Sequence, residues 1–364
     1  MSSDNLLYKI ALTLIPNIGP VQAKLLLQHF EAEEIFKAKK SSLEKLVGPA
    51  NAGNIEAFND YSTAEEEISF IEKFKISPLF INDEKYPRRL LNCYDSPTLL
   101  YYRGEADLNV SKIIALVGTR SNTDYGKQIT ENLINDLSAL NVLIVSGLAH
   151  GIDGIAHKAA LRNNLPTVGV IAHGLDQVYP NQHAGLAKDM VKNGGGLLTE
   201  FRSKTMPDKY NFPTRNRIVA GMSDATIVVE SGIKGGSIIT ADLANGYNKD
   251  VFAFPGKTTD AKSAGCNFLI RSNKAILLTK AQDLVELMGW EEQRSKKKRQ
   301  TELFIELSEE EKVIINILKE KDSVHIDELN FRSNLSSSSV ASAILNLELQ
   351  NVVNSLPGKL YKLM

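Results

Sequence analysis

Four apolar runs in the middle of the chain each end at a glycine-containing turn that carries polar groups. Residues 113–117 run into Gly118-Thr119-Arg120, and residues 142–146 into Gly147-Leu148-Ala149-His150-Gly151-Ile152-Asp153. Further on, residues 226–230 meet Ser231-Gly232-Ile233-Lys234-Gly235-Gly236-Ser237, and residues 251–254 meet Pro255-Gly256-Lys257. A strand that ends in glycine and opens a helix places several backbone N–H groups at one edge of a parallel sheet, which suits a phosphate. Repetition along one sheet predicts a ledge for several phosphates, as along a strand of nucleic acid. Amides after Gly118, Gly147, Gly235 and Gly236 are the uncharged donors, and Arg120, Lys209, Arg215, Arg217, Lys234 and Lys257 the candidate cations. Ser237 and Thr240 open the helix after the glycine pair, where a hydroxyl either caps the helix or bonds a phosphate oxygen.

The string Asn211-Phe212-Pro213-Thr214-Arg215-Asn216-Arg217 is the second chemical signal. Phe212 precedes a proline and is expected to be extended, with Thr214 capping a helix that begins at Arg215. An aromatic ring among cations at the mouth of an anion site can stack on a base; core packing is the alternative for Phe212. Arg217 reads either as a ligand or as the buried partner of Glu230 or Asp224. His150, Asp153 and His157 suggest a metal or a general base, but no third helical ligand at zinc-like spacing accompanies them. Asp153 is better read as an acid at a helix N-terminus, and His157 as a packed, hydrogen-bonded side chain. Neither the ATP-binding G-x-x-x-x-G-K-[ST] string nor a dinucleotide G-x-G-x-x-G string occurs, so a Rossmann-like sheet is expected here without its usual cofactor.

The elements that must position these groups follow from periodicity. Residues 1–75 read as a small helical domain, with Leu6, Leu7, Ile10 and Leu14 and then Ala23, Leu26, Leu27 and Phe30 at helical spacing. The turn Ile15-Pro16-Asn17-Ile18-Gly19-Pro20 between them resembles a helix-hairpin-helix element, or is a plain packing turn. From 76 to 290 strands alternate with helices, the signature of a doubly wound α/β sheet. Strands are expected at 79–81, 99–102, 113–117, 142–145, 167–171, 197–199, 225–229, 251–254 and 276–278, with helices at 124–140 and 151–162. Residues 291–305 read as a basic linker. Residues 306–364, with helices at 309–318, 326–329 and 337–349 and a short hairpin, follow a winged-helix order. That last segment carries six Lys and Arg against nine Asp and Glu, and its 336–350 helix carries neither Lys nor Arg. A helix that docks in a duplex groove needs cations against the phosphates, so a protein contact or spacer is expected there.

A formal net charge of −1 excludes a generally basic nucleic-acid coat and confines any phosphate-binding surface to a local patch. The apolar stretch near the N-terminus ends at Pro16, and no segment approaches the roughly 18 apolar residues of a membrane span. Cys93 and Cys266 fit no metal spacing, which points to a reduced, cytoplasmic setting.

These strings together resemble the DNA-processing DprA/Smf family. The matches are Tyr86-Pro87, 115–120 with Tyr125-Gly126, 146–153 with Ala156-His157, Gly174-Leu175-Asp176, Tyr179-Pro180, Glu200, and Phe212-Pro213 with Arg215-Asn216-Arg217. They continue with Gly235-Gly236-Ser237, Thr240-Ala241, Phe254-Pro255-Gly256 and Gly265-Cys266-Asn267. The resemblance implies an extended Rossmann-like domain that binds single-stranded DNA without a nucleotide and is not an enzyme. It further implies protection of incoming DNA in natural transformation, help in loading the RecA recombinase, and a cytoplasmic homodimer. The expected DNA-binding set is Gly118, Thr119, Arg120, Gly147, His150, Lys209, Phe212, Arg215, Asn216, Arg217, Lys234, Gly235, Gly236, Ser237 and Lys257. His150 departs from the Lys or Arg often found there in the family, and Gly235-Gly236-Ser237 from the frequent Ser-Gly-Ser. The competing class is a Rossmann-like phosphoribohydrolase, which would need Asp153, Glu200 or Glu230 beside a ribose.

Overall fold

A computed structural model describes residues 3–290 and 307–363, apart from 322, 351 and 357. Two compact units divide the chain at residue 290. The expected basic linker, 291–305, lies outside the described residues.

The first unit is built on a nine-stranded sheet: β1 (Ser77–Phe80), β2 (Leu99–Gly104), β3 (Ile113–Val117), β4 (Leu143–Ser146), β5 (Thr167–Val170), β6 (Gly196–Thr199), β7 (Ala225–Val228), β8 (Asp250–Ala253) and β9 (Ile276–Leu277). Their order is β1-β2-β6-β5-β4-β3-β7-β8-β9. β6 through β9 pair in parallel, whereas β2 joins β6, and β1 joins β2, antiparallel. All nine expected strands are present, because strands covered on both faces read as continuous apolar runs. Side chains alternate between two cores. Ile113, Ala115 and Val117 pack on one face with Val145, Val170 and Ile218, and Ile114 and Leu116 on the other with Ile144, Ile152 and Ile227.

From β3 the chain winds outward through β4, β5 and β6, then crosses back to place β7 against the other side of β3. The topological switch point therefore lies between β3 and β7. A crevice outside the carboxyl ends of the strands is expected at such a point.

The N-terminal helices pack onto the sheet. Ile10, Ala64 and Ile71 share a cluster with Phe80, Leu99, Tyr101 and Ile171, and buried Glu67 accepts hydrogen bonds from the amide and hydroxyl of Ser203. The turn at residues 15–20 is anchored by buried Ile15 and Ile18; Asn17 adopts φ 62° and Pro20 opens the next helix.

The second unit holds helices Glu309–Leu318, Ile326–Ser333 and Ser337–Leu349 with a three-stranded sheet of β10 (Val324–His325), β11 (Val353–Leu356) and β12 (Leu360–Leu363), ordered β10-β12-β11. This is a winged-helix arrangement around Ile314, Leu318, Leu329, Val340 and Leu347.

Candidate nucleic-acid interface at the switch point

The crevice between the ends of β3 and β7 is an open cleft of about 550 Å³. The turn after β3 contributes Gly118, Thr119 and Arg120. The turn after β7 contributes Gly232, Gly235, Gly236 and Ser237, and the segment before and within helix Asn211–Gly221 contributes Lys209, Phe212, Arg215 and Asn216. Of the fifteen residues singled out in the sequence, ten line this cleft. Gly147 and His150 line a small recess that adjoins it through Arg120, Phe212 and Arg215. Arg217, Lys234 and Lys257 line neither.

Helix Asn211–Gly221 begins four residues before the position expected from the sequence. Pro213 falls in its first turn, where an N–H has no acceptor to lose. Thr214 does not cap it: its hydroxyl donates to the carbonyl of Tyr210 at 3.1 Å. The early start makes Phe212 part of the helix, with its ring half-buried and the Arg120 guanidinium 5.2 Å from its centroid. Lys209 lies 4.9 Å from the ring of Tyr210, which is 72% exposed. Neither Arg120 nor Lys209 pairs with a carboxylate among the described residues. Their charges face solvent unneutralised.

Arg215 is buried beneath the cleft. Its guanidinium donates to the carbonyls of Gly147 and Val170 and to Asn216. Burial pulls its pKa down to about 10, opposed by the carboxylate of Asp153, and it stays cationic at neutral pH. Asp153 accepts from the amides of Gly147 at 3.2 Å and Ala149 at 3.3 Å. Burial pushes the Asp153 carboxyl upward, while Arg215 and those amides pull it back. A Cβ on Gly147 would come within 2.7 Å of both Arg215 and Asp153, so the turn after β4 closes around this pair. Two of the amides expected to meet a phosphate are thus taken by the protein's own acid.

The turn after β7 differs. Helix Gly236–Gly246 has Gly235 at its N-cap with no side chain bonding to its first amides. Ser237 donates to Ser231, and Thr240 to the carbonyl of Gly236. The amides of Gly235 and Ile238 donate to the carbonyls of Gly232 and Gly235, both at 3.0 Å, while those of Gly236 and Ser237 have no acceptor among the described residues. Lys234 is exposed on the same turn.

Arg217 is buried against Glu200, which replaces the expected partners. Asp224 is held by Arg89 through two bonds of 2.6 and 2.9 Å, and Glu230 by the amide and hydroxyl of Thr123. Glu200 lines a separate cavity near Ile18 and Gly19. Burial pushes its carboxyl upward and Arg217 pulls it back. His157 is fully buried, with Nδ1 2.7 Å from the Thr167 hydroxyl, as expected of a packed histidine. Tyr210 and Tyr179 lie outside the expected binding set, although Tyr179-Pro180 is one of the matched strings; the only signal of Tyr210 is an aromatic beside a cation in a polar stretch.

A doubly wound sheet without a dinucleotide fingerprint, with free helix-start amides and cations unpaired among the described residues at its switch point, defines a Rossmann-like domain. A family model described as DNA recombination-mediator protein A matches residues 77–289, and one described as the DprA winged helix domain matches residues 300–359. The chain belongs to this DprA/Smf family. It is 36% identical over 274 residues to the DNA processing protein DprA of Streptococcus pneumoniae, spanning 69% of this chain and 96% of that one. With the Smf protein of a Synechocystis species it shares 35% over 303 residues, 79% of this chain and 74% of the relative. The X-ray structure of DNA processing protein A from S. pneumoniae superposes with a TM-score of 0.67 at 33% identity, covering 77% of this chain and 97% of that one. A structure of the Helicobacter pylori protein, described for its single-stranded DNA binding mode, gives 0.54 at 32% identity over 59% and 96%. Among the described residues no helix is long and apolar enough to cross a membrane.

Proposed function

We propose that the switch-point cleft binds single-stranded DNA without a nucleotide, and that the chain acts as a cytoplasmic homodimer. In that role it protects incoming DNA and helps load RecA recombinase in natural transformation. The observation that carries the DNA reading is the meeting, in one open cleft, of the free amides of Gly236 and Ser237 with unpaired Arg120 and Lys209 and the half-buried ring of Phe212. Amides and cations take phosphates; the ring takes a base. Family membership supports the wider role, and the single-strand binding described for the H. pylori relative supports the ligand.

The nucleotide-processing alternative has less support. Of the three acids that could serve it, Asp153 lines the cleft but is engaged by the amides of Gly147 and Ala149 beside Arg215, Glu200 faces another cavity, and Glu230 is held by Thr123.

Titration of labelled oligonucleotides at several salt concentrations tests the proposal. Three exposed cations, Arg120, Lys209 and Lys234, are expected to neutralise about three phosphates, giving a log–log salt slope of roughly −2 and roughly a 20-fold loss between 50 and 200 mM. Arg120→Ala is expected to weaken binding to all sequences and flatten the slope. Phe212→Ala is expected to weaken binding with the slope unchanged. Wild-type affinity in both variants sinks the proposal.

A further inference from the structure

We infer that the bound strand passes from Phe212 onto Tyr179, which serves as a second base platform on the β5 side of the cleft. The inference rests on the single-strand reading above and extends it by a residue that the glycine and cation pattern does not mark.

Tyr179 is 47% exposed, yet its ring centroid stands 6.0 Å from that of Phe212, at an interplanar angle of 43°. Arg120, Phe212 and Tyr179 thus form a continuous row, cation on ring and ring beside ring. At this separation the two rings touch, so a base lies across them and not between them. The recess they border, with His150 at its rim, holds only about 30 Å³. With Arg120 in this position that is the space of one water, and the exposed ring faces are the surface this arrangement presents to a base.

The backbone that presents Tyr179 is fixed from below. Its amide donates to Nε2 of His173 at 3.1 Å, and Nδ1 of His173 lies 2.9 Å from the carbonyl of Gly174. Those contacts assign both ring nitrogens: Nδ1 carries the proton and Nε2 accepts. His173 is buried, and desolvation holds its pKa below the usual histidine value, which keeps the imidazole in this neutral form. His173 is therefore a positioning residue for Tyr179. A large apolar ring held at the surface by a buried hydrogen-bonded support contributes little to the core. A flat, sequence-tolerant face is what a single strand stacks on.

The test compares wild type with Tyr179→Ala and Tyr179→Phe on a labelled thymidine oligonucleotide and on an abasic oligonucleotide of equal length. Tyr179→Ala is expected to lose roughly 5- to 150-fold in affinity for the thymidine strand, with no change in salt slope. Tyr179→Phe is expected to retain wild-type affinity, and the abasic strand to bind all three proteins alike. Circular dichroism and urea midpoints check that the variants fold. Wild-type affinity in folded Tyr179→Ala overturns the inference, as does a loss in Tyr179→Phe equal to that in Tyr179→Ala, or a loss of equal size on the abasic strand. Arg120→Ala separates the two levels. If it weakens binding while Tyr179→Ala does not, only the second platform fails; if Arg120→Ala and Phe212→Ala are both neutral, the single-strand reading fails with it.

Discussion

The turns after β4 and β7 look alike in sequence: each is a strand, a glycine-rich stretch and the start of an 11-residue helix. Their amides fare differently. After β4, Asp153 in the first turn of its helix folds back onto the amides of Gly147 and Ala149, with Arg215 buried behind it. After β7, no acid stands in the first turn of helix Gly236–Gly246, and its amides open onto the cleft. One carboxylate separates a glycine turn clasped on its own acid from one whose amides stay open. The clasp also explains the division of labour among the arginines. Arg215 braces the floor from within, whereas Arg120, with no acid beside it, stays on the surface against Phe212.

The sharpest way to break this comparison is to remove the internal anion. Asp153→Ala leaves Arg215 buried without its compensating charge, and the expected loss is about 3–5 kcal/mol in urea unfolding. The emptied turn then resembles the one after β7. Added sulfate is expected to raise the midpoint of the variant by more than that of wild type, because a ligand that binds only the folded state stabilises it by mass action. Equal increments in the two proteins would refute the equivalence of the turns.

Arg217 provides the next contrast. Arg217→Ala removes a buried charged pair, but Glu200, already pushed upward by burial, can take a proton instead of remaining ionised. The expected destabilisation is about 1.5–3 kcal/mol. Its single-strand affinity, measured well below the melting temperature, is expected to match wild type, because Arg217 lines no part of the cleft. A binding loss comparable to that of Arg120→Ala would place Arg217 in the interface after all.

The helix behind the β4 clasp should also respond to acid. The Thr167 hydroxyl donates to the carbonyl of Ile144 at 3.0 Å, so Nδ1–H of His157 donates to Thr167 and leaves Nε2 buried without a partner. Burial drops the His157 pKa from 6.5 to about 3. Above pH 6.5 both folded and unfolded states carry a neutral ring, and the full stability is present. Below it the unfolded chain binds a proton that the folded chain refuses, so stability falls by up to about 1.4 kcal/mol per pH unit until the pH nears 3. His173, lowered for the same reason, adds in the same direction. His157→Gln is expected to make the acid limb of the stability profile shallower; an unchanged limb would assign it to other groups.

The sheet was legible because each parallel strand is buried on both faces and so reads as an apolar run, with β3 matching its expected limits residue for residue. Contacts made across crossovers were not. That Arg217 meets Glu200 depends on how β6 and helix Asn211–Gly221 pack, and neither segment encodes the other. Asp153 was recognisable as an acid at a helix start, but its choice of the Gly147 amides over solvent follows from Gly151, whose φ of 76° turns the chain back beside Thr119. The start of helix Asn211–Gly221 was misplaced because Pro213 reads as a break, although a proline in the first turn displaces no hydrogen bond. The cleft residues were the most legible part, since glycine turns and cations mark themselves locally. The aromatic surface of Tyr179 and Tyr210 was not, because exposure has no local signature.

The smallest expected effect carries the most specific sign. Gly236 is helical, does not have positive φ, and a Cβ there would meet nothing within 4 Å. Gly236→Ala should therefore stabilise the fold by roughly 0.4–1 kcal/mol, mainly by restricting the unfolded chain. The same methyl sits on a residue that lines the cleft, beside the free amides. It is expected to hinder the close approach of a phosphate and so to weaken single-strand binding. Stability and affinity then move in opposite directions. Gly147→Ala, by contrast, would drive a Cβ into Asp153 and Arg215 and lose stability first. If Gly236→Ala gains stability and binds DNA as wild type does, the turn after β7 is not where the phosphates rest, and the difference between the two turns is one of packing alone.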